Sequence, residues 1–272
     1  MAAQGRQEEN LDLGLKSKRA LVLSSSRGIG LGIARALAAE GADVLMTARD
    51  GARLEKEAAA INAEGEGRAQ WVVSDLADPQ MPAEIVAQAE KLLGGVDILI
   101  NNTGGPPPGK MSEADLEVLH RQFQMMVLRV MDITARVVPG MQERRWGRVL
   151  TVASSGVIQP IPNLGLSNAL RASLVGWSKS MANELGTDGI TFNMLLPGRI
   201  MTDRLRDLDA ASAKRSERSL DEVMAEAVSQ IPVGRYGDVE EFASVAAFLV
   251  SARASYVTGS VVRCDGGSIK SI

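Results

Sequence analysis

Histidine and cysteine are almost missing from this 272-residue chain, which holds one of each, His120 and Cys264. A lone cysteine excludes an intramolecular disulfide and fits a reducing cytoplasm. Without a cluster of histidine, cysteine and acid there is no structural zinc motif. Aromatic residues make up 3%, with only two tyrosines, Tyr236 and Tyr256. A large charge of one sign is lacking too. The net charge is −3, so nothing points to nucleic acid or an anionic membrane. No apolar run approaches the roughly 18 residues of a membrane span. The N-terminus, MAAQGRQEENLDLGLKSK, has no apolar core of the signal-peptide type. Residues 1–17 read as a solvated leader. His120 falls in an amphipathic helical stretch and reads as a surface or packing residue.

Apolar residues, at 45%, are plentiful enough for a sizeable core. The stretch LVLSSSRGIGLGIARALAA, from Leu21 to Ala39, reads as a buried strand, a Ser/Gly turn and a helix. A strand feeding a glycine turn and a helix start is a phosphate-binding arrangement, because backbone N–H groups and the helix dipole both favour an anion there. The same glycines also suit a tight turn that binds nothing.

The rest of the chain repeats the alternation. Strands are expected at Arg19–Leu23, Asp43–Thr47, Gln70–Ser74, Asp97–Ile100, Arg148–Ala153, Ile190–Leu195 and Val261–Cys264. Helices are expected at Gly28–Glu40, after an Asp50 N-cap, at Pro79–Leu93 with proline at its start, and at Ser112–Gln142, Ser167–Leu185 and Asp238–Val250. This pattern predicts the α/β class: one doubly wound Rossmann-type domain over residues 18–272, its parallel sheet flanked by helices. Ligands in such sheets sit beyond the C-terminal strand ends, where the polar and glycine-rich stretches fall. The charged segment at about 201–230 has little core pattern before Val223 and reads as a lid. Leu170, Leu174, Trp177 and Met181 form an apolar stripe that suits either an interface or the intrachain core.

The motifs SSSRGIG (24–30), Asp75 after the third strand, NNTGG (101–105), the Ser154 loop, LLPGRIMTDR (195–204) and YVTGSVVRCDGG (256–267) occur in order. Over about Lys18–Ser268 the chain thereby resembles the short-chain dehydrogenases/reductases, in particular their 3-oxoacyl-carrier-protein reductase-like branch. The resemblance implies a nicotinamide cofactor held by Ser24, Ser26, Arg27, Gly28, Ile29 and Gly30, with Ser24 standing where the family has its first glycine. Asp75 and Leu76 would lie beside the adenine. Asn101, Thr103 and Gly104 would support the ribose side. Pro197, Gly198, Ile200 and Thr202 would border the nicotinamide. The resemblance also implies a homo-oligomer, tetramer or dimer, built through the helices at about 112–142 and 168–185 and through the C-terminal strand.

Thr47-Ala48-Arg49 offers no acid to accept from a ribose 2′-OH, whereas Arg27 and Arg49 suit a 2′-phosphate. NADP(H) is therefore expected over NAD(H); the alternative is that Arg49 simply solvates a helix start. The family's chemistry uses an Asn, Ser, Tyr and Lys. By spacing, those positions are Met126, Ser154, Ser167 and Arg171, so only Ser154 matches. An alkyl hydroxyl is a far weaker acid than a phenol. Guanidinium keeps its charge and can reach ribose hydroxyls, but it does not shuttle protons. Three readings follow: an NADP(H)-dependent oxidoreductase of a small carbonyl or alcohol using Ser154, Ser167 and Arg171; a catalytically impaired NADP(H) sensor; or a reductase of another bond.

Overall fold

A strand covered on both faces has no polar side, and these strands are apolar almost throughout. The computed structural model describes residues 11–272. In it β1 (Arg19–Val22), β2 (Asp43–Ala48), β3 (Arg68–Val73), β4 (Ile98–Asn101), β5 (Gly147–Val152), β6 (Ile190–Pro197) and β7 (Val261–Cys264) form one parallel sheet. Its order is β3-β2-β1-β4-β5-β6-β7. The helices are α1 (Gly28–Ala39), α2 (Gly51–Glu64), α3 (Met81–Leu93), α4 (Leu116–Phe123), α5 (Arg129–Glu143), α6 (Gly165–Leu185), α7 (Asp203–Ser216), α8 (Leu220–Ser229) and α9 (Val239–Leu249).

Side chains alternate across each strand. Ala20 and Val22 of β1 join Val44 and Met46 of β2 in a core shared with Ile33 and Leu37 of α1, Leu54 of α2 and Phe242 of α9. Leu21, Leu23 and Leu45 point the other way, onto Ile85 of α3, Ile133 and Val137 of α5 and Phe192 of β6. Each fully buried side chain of this size contributes about 1.5–3 kcal/mol. The chain runs outward through β1, β2 and β3, then returns with β4 on the far side of β1. That reversal opens a crevice at the C-terminal ends of β1 and β4.

Several local expectations need correction. The leader expected at 1–17 lies outside the described residues up to residue 10, but beyond that it is not simply solvated. Leu15 is 1% exposed in the core, and the Leu13 carbonyl accepts from the Ala252 N–H. Leu11, Leu13 and Leu15 alternate over too short a run to stand out. The helix expected from Ser112 starts at Leu116, where Asp115 accepts from the Glu117 N–H. A π turn at Gln124–Leu128 then interrupts it. The proline at the start of α3 is Pro82, because the chain before Gln80 folds into turns on Asp75 and Asp78. The segment 201–230 is two capped helices, and α7 buries Asp209 and Ala213. The stripe on α6 packs inside the chain. Leu170 and Leu174 are buried, and Trp177 stands edge-on to Phe192. His120 is exposed on α4.

Candidate active site at the strand ends

The turn after β1 is held open by backbone geometry. Ser24 (φ 50°) and Gly28 (φ 57°) both take left-handed conformations. Gly30 packs closely against this turn: a Cβ there would stand 2.4 Å from the Ser24 carbonyl and 2.7 Å from Asn102 Nδ2. Asn102, at the end of β4, donates to the carbonyls of Leu23 and Ser24 at 3.3 and 3.2 Å. Ser25 is fully buried. Its N–H donates to the Thr47 carbonyl, and its hydroxyl accepts from the Thr47 N–H at 2.9 Å. The sequence reading overlooked Ser25 and Asn102. Both act through backbone carbonyls or amides of other strands, which spacing along the chain does not reveal.

The start of α1 carries no side-chain cap and no acid in its first turn. Its first N–H groups therefore face the crevice as an anion site. Ser26 is buried, Ile29 packs partly against the core, and Arg27 is exposed at the N-cap. The Ser25–Thr47 bonds bring together the chain segments that carry Arg27 and Arg49. Both are exposed, and among the described residues neither side chain forms an ion pair. An uncapped helix start with two unpaired guanidiniums fits a phosphorylated dinucleotide. Asp75 lies farther out. One of its oxygens accepts from the Ala77 N–H in a turn, and Leu76 packs against the core.

Asn101 is 1% exposed. Its Nδ2 donates to Thr134 Oγ1 at 3.2 Å, linking β4 to α5, and its Oδ1 has no partner among the described residues. Beyond it, Thr103 and Gly104 are joined to α6. Arg171 Nη2 donates to their carbonyls at 3.3 and 3.4 Å, and Nη1 donates to the Val152 carbonyl at 3.0 Å. The guanidinium is buried. Desolvation, with the charge of Arg204 adding to it, pulls its pKa down to about 10, so it stays cationic at neutral pH.

Ser154 follows β5 and Ser167 sits in the first turn of α6. Ser154 Oγ accepts from the Gly156 N–H at 3.1 Å, which leaves its O–H able to donate outward. Ser167 is 8% exposed. Asn168 fastens the intervening loop to α6 by exchanging two hydrogen bonds with the Ile161 backbone. Met126 lies in the π turn and is buried beside Leu166, Leu170 and Met194. Neither tyrosine adjoins these hydroxyls by any contact in the structure. Tyr256 is fully exposed, and Tyr236 donates to Asp209 at 2.9 Å. Burial, then the Asp209 bond, raises the Tyr236 pKa.

The exit of β6 closes the crevice. Pro197 ends the strand, and the Gly198 N–H donates to the Cys264 carbonyl. Ile200 is buried and bridges to Gly237. Thr202 caps α7 through the Leu205 N–H, and its methyl sits 3.4 Å from the point a Gly28 Cβ would occupy. The structure thus gathers residues 24–30, 47–49, 101–104, 152–171 and 197–204 around one crevice, with Asp75 and Leu76 at its margin. Among the described residues no His/Cys/Asp/Glu group is arranged to hold a metal, and no helix is long and apolar enough to cross a membrane.

Residues 23–268 match the family described as enoyl-(acyl carrier protein) reductase. Dehydrogenase/reductase SDR family member 4 of Sus scrofa is 36% identical over 255 residues, covering 93% of this chain and 88% of the relative. The 3-oxoacyl-[acyl-carrier-protein] reductase of Escherichia coli is 33% identical over 257 residues, covering 94% and 98%. The solved L-sorbose reductase of Gluconobacter frateurii, complexed with NADPH and L-sorbose, superposes with a TM-score of 0.91 at 31% identity, covering 96% of this chain and all of that one. Fold and sequence agree along nearly the whole chain, and the protein belongs to the short-chain dehydrogenase/reductase superfamily, on the side of the 3-oxoacyl-[acyl-carrier-protein] reductases and dehydrogenase/reductase SDR family member 4.

Proposed function

We propose that this chain is an NADP(H)-dependent oxidoreductase of a small carbonyl or alcohol substrate, working without the tyrosine and lysine that its relatives' motif places at Ser167 and Arg171. The observation that carries the cofactor choice is the pair Arg27 and Arg49, both exposed and without an ion-pair partner among the described residues, with Arg27 at an uncapped helix start. The α1 N–H groups and Gly28 would hold the pyrophosphate, and the two guanidiniums the 2′-phosphate. Asn101, Thr103 and Gly104 would bound the ribose side, and Pro197, Gly198, Ile200 and Thr202 the nicotinamide side. Bound NADPH supplies the hydride.

The chain's own residues do the rest. Ser154 donates its O–H to the substrate oxygen while the Gly156 N–H fixes its position. Ser167 offers a second hydroxyl. Arg171 contributes a buried positive charge that favours developing negative charge on that oxygen. It transfers no proton, so the proton comes from water. Lack of a positioned acid costs about 10²- to 10⁴-fold in rate. The helices of 201–230 are assigned as the lid over residues 18–272 taken as one domain. The exposed Leu116, Phe123 and Leu128 suit assembly with further copies of the chain.

A second reading, a cofactor sensor with no turnover, is favoured by the engagement of Tyr236 with Asp209 and the full exposure of Tyr256. Single-turnover nicotinamide absorbance separates the two. Excess protein is mixed with NADPH and a short 3-oxoacyl thioester. Decay above the protein-free rate, abolished in Ser154→Ala, is expected. NADPH binding with a flat trace across carbonyl substrates would instead establish the sensor. Arg49→Ala is expected to raise the NADPH Kd about tenfold and leave the NADH Kd unchanged. Equal affinity for the two cofactors in the unaltered protein would refute the NADP(H) assignment.

A further inference from the structure

The loop after β4 is gripped by two arginines. Arg171 holds the Thr103 and Gly104 carbonyls from α6. Arg204, in the first turn of α7, donates Nη2 to the Pro106 carbonyl at 3.0 Å. Gly105 lies between them. A Cβ there would stand 3.2 Å from Arg204 Nη2, so the absent side chain lets the guanidinium lie close against the loop. The two cations are near enough for Arg204 to lower the Arg171 pKa.

Among the described residues neither guanidinium has a carboxylate partner, and the bonds of both go to carbonyls. Asp203, the neighbour of Arg204, pairs with Arg206 instead. The two buried acids among the described residues, Asp97 and Asp209, are matched. Arg19 and Arg144 share Asp97, and Arg199 meets Asp209. Two like charges drawn together without a counter-ion destabilise the fold, and an oxygen anion between them offsets that cost. Arg204 uses only one of its five N–H groups on the loop, and a forked guanidinium suits a carboxylate or phosphoryl group.

We propose that Arg204, backed by the buried charge of Arg171, reads an anionic group on the substrate, so that the substrate is an oxo or hydroxy acid or a phosphorylated counterpart. This rests on the oxidoreductase reading in placing the substrate beside Ser154. Arg171 also holds Val152, two residues before Ser154, whereas the phosphate side of the crevice is at the start of α1. The other source of the same chemistry is the cofactor's own pyrophosphate, since Thr202, two residues before Arg204, has its methyl 3.4 Å from where a Cβ on Gly28 would stand.

Calorimetric titration distinguishes these. The full chain, with and without NADPH, is titrated with 2-oxopropanoate, 3-oxobutanoate, 4-oxopentanoate and 5-oxohexanoate, each against its amide. At least one acid is expected to bind about tenfold more tightly than its amide. The ratio should fall towards one in Arg204→Gln and be largely kept in Arg204→Lys, with the NADPH Kd changing less than twofold. Arg204 is exposed, so unchanged thermal unfolding serves as the folding control. Acids and amides that bind alike, or do not bind, overturn the proposal. So does an Arg204→Gln chain that loses NADPH affinity while keeping its acid preference, because the pair then serves the cofactor. A chain that binds no NADPH but still prefers acids supports the anion site and defeats the oxidoreductase reading instead.

Discussion

Asn102 Nδ2 lies 3.2 Å from the carbonyl oxygen of Ser24, so the end of β4 holds the turn after β1 in its left-handed conformation. The same amide reaches Leu23, and among the described residues no other side chain hydrogen-bonds these two carbonyls. In Asn102→Ala two partly buried carbonyls lose their donor, at about 1 kcal/mol net. The NADPH Kd is expected to rise about tenfold, and Tm to fall by about 2–4 °C. Calorimetric titration and thermal unfolding measure both. Unchanged affinity would mean that the turn is held by its own residues.

Ser24 occupies a φ of 50°, where an L side chain costs about 1–2 kcal/mol. Glycine removes that cost and gives back part of it through the freer unfolded chain. Ser24→Gly is therefore expected to stabilise the protein by about 1 kcal/mol, seen as a rise of about 2–4 °C in Tm. A lower Tm would show that the serine side chain supports the turn more than its backbone strains it.

Asp97 sits at the opposite, N-terminal end of the central strands, between Arg19 (Nη2 at 2.6 Å) and Arg144 (Nε at 2.9 Å). Burial alone would raise its pKa. Hydrogen bonds from Arg19, with the charges of Arg19 and Arg144, outweigh burial and hold the carboxyl below its ordinary value. With the folded pKa depressed, the unfolded chain takes up this proton first as pH falls. The stabilisation is complete above the unfolded value near about 4 and disappears as pH drops through the folded one. Asp97→Asn should accordingly be destabilised most at pH 7, the gap to the unaltered protein narrowing below about pH 4. Denaturant unfolding at pH 7 and pH 3 gives the comparison, and a gap independent of pH would rule out the ion pairs as its origin.

Tyr236 donates to Asp209 at 2.9 Å, and Arg199 Nη1 meets the same carboxylate at 2.5 Å. Tyr236→Phe leaves that buried acid with one partner. Cleavage of native protein by trypsin at the lysines and arginines of 203–229 should speed up several-fold, with cleavage elsewhere unchanged. Uniform acceleration would mean that the whole fold had weakened.

The order of elements was legible because alternating apolar runs and helical stripes are local signals, and Leu21, Leu45, Leu99 and Phe192 lie where those signals place them. The stretches proposed to hold cofactor and substrate were legible as loops at strand ends for the same reason. What escaped was set by contacts across the chain. Ser25, Asn102 and Arg204 act on backbone groups 22, 78 and 98 residues away. Asp209 falls in the charged segment that reads as a lid, and only its meeting with Arg199 and Tyr236 makes it a buried anchor. The π turn around Met126 has no signature in apolar spacing, because one added residue per turn merely shifts the stripe.

The anchor at Asp209 lies five residues, or about 7.5 Å of helix, from Arg204. Its two partners, Arg199 before α7 and Tyr236 beyond α8, come from opposite sides of the 201–230 segment. One buried carboxylate thereby cross-links the two ends of a segment whose sequence carries little core of its own, and the helix that carries Arg204 is pinned at its middle as well as at its start, where Met201 donates to the Gly237 carbonyl.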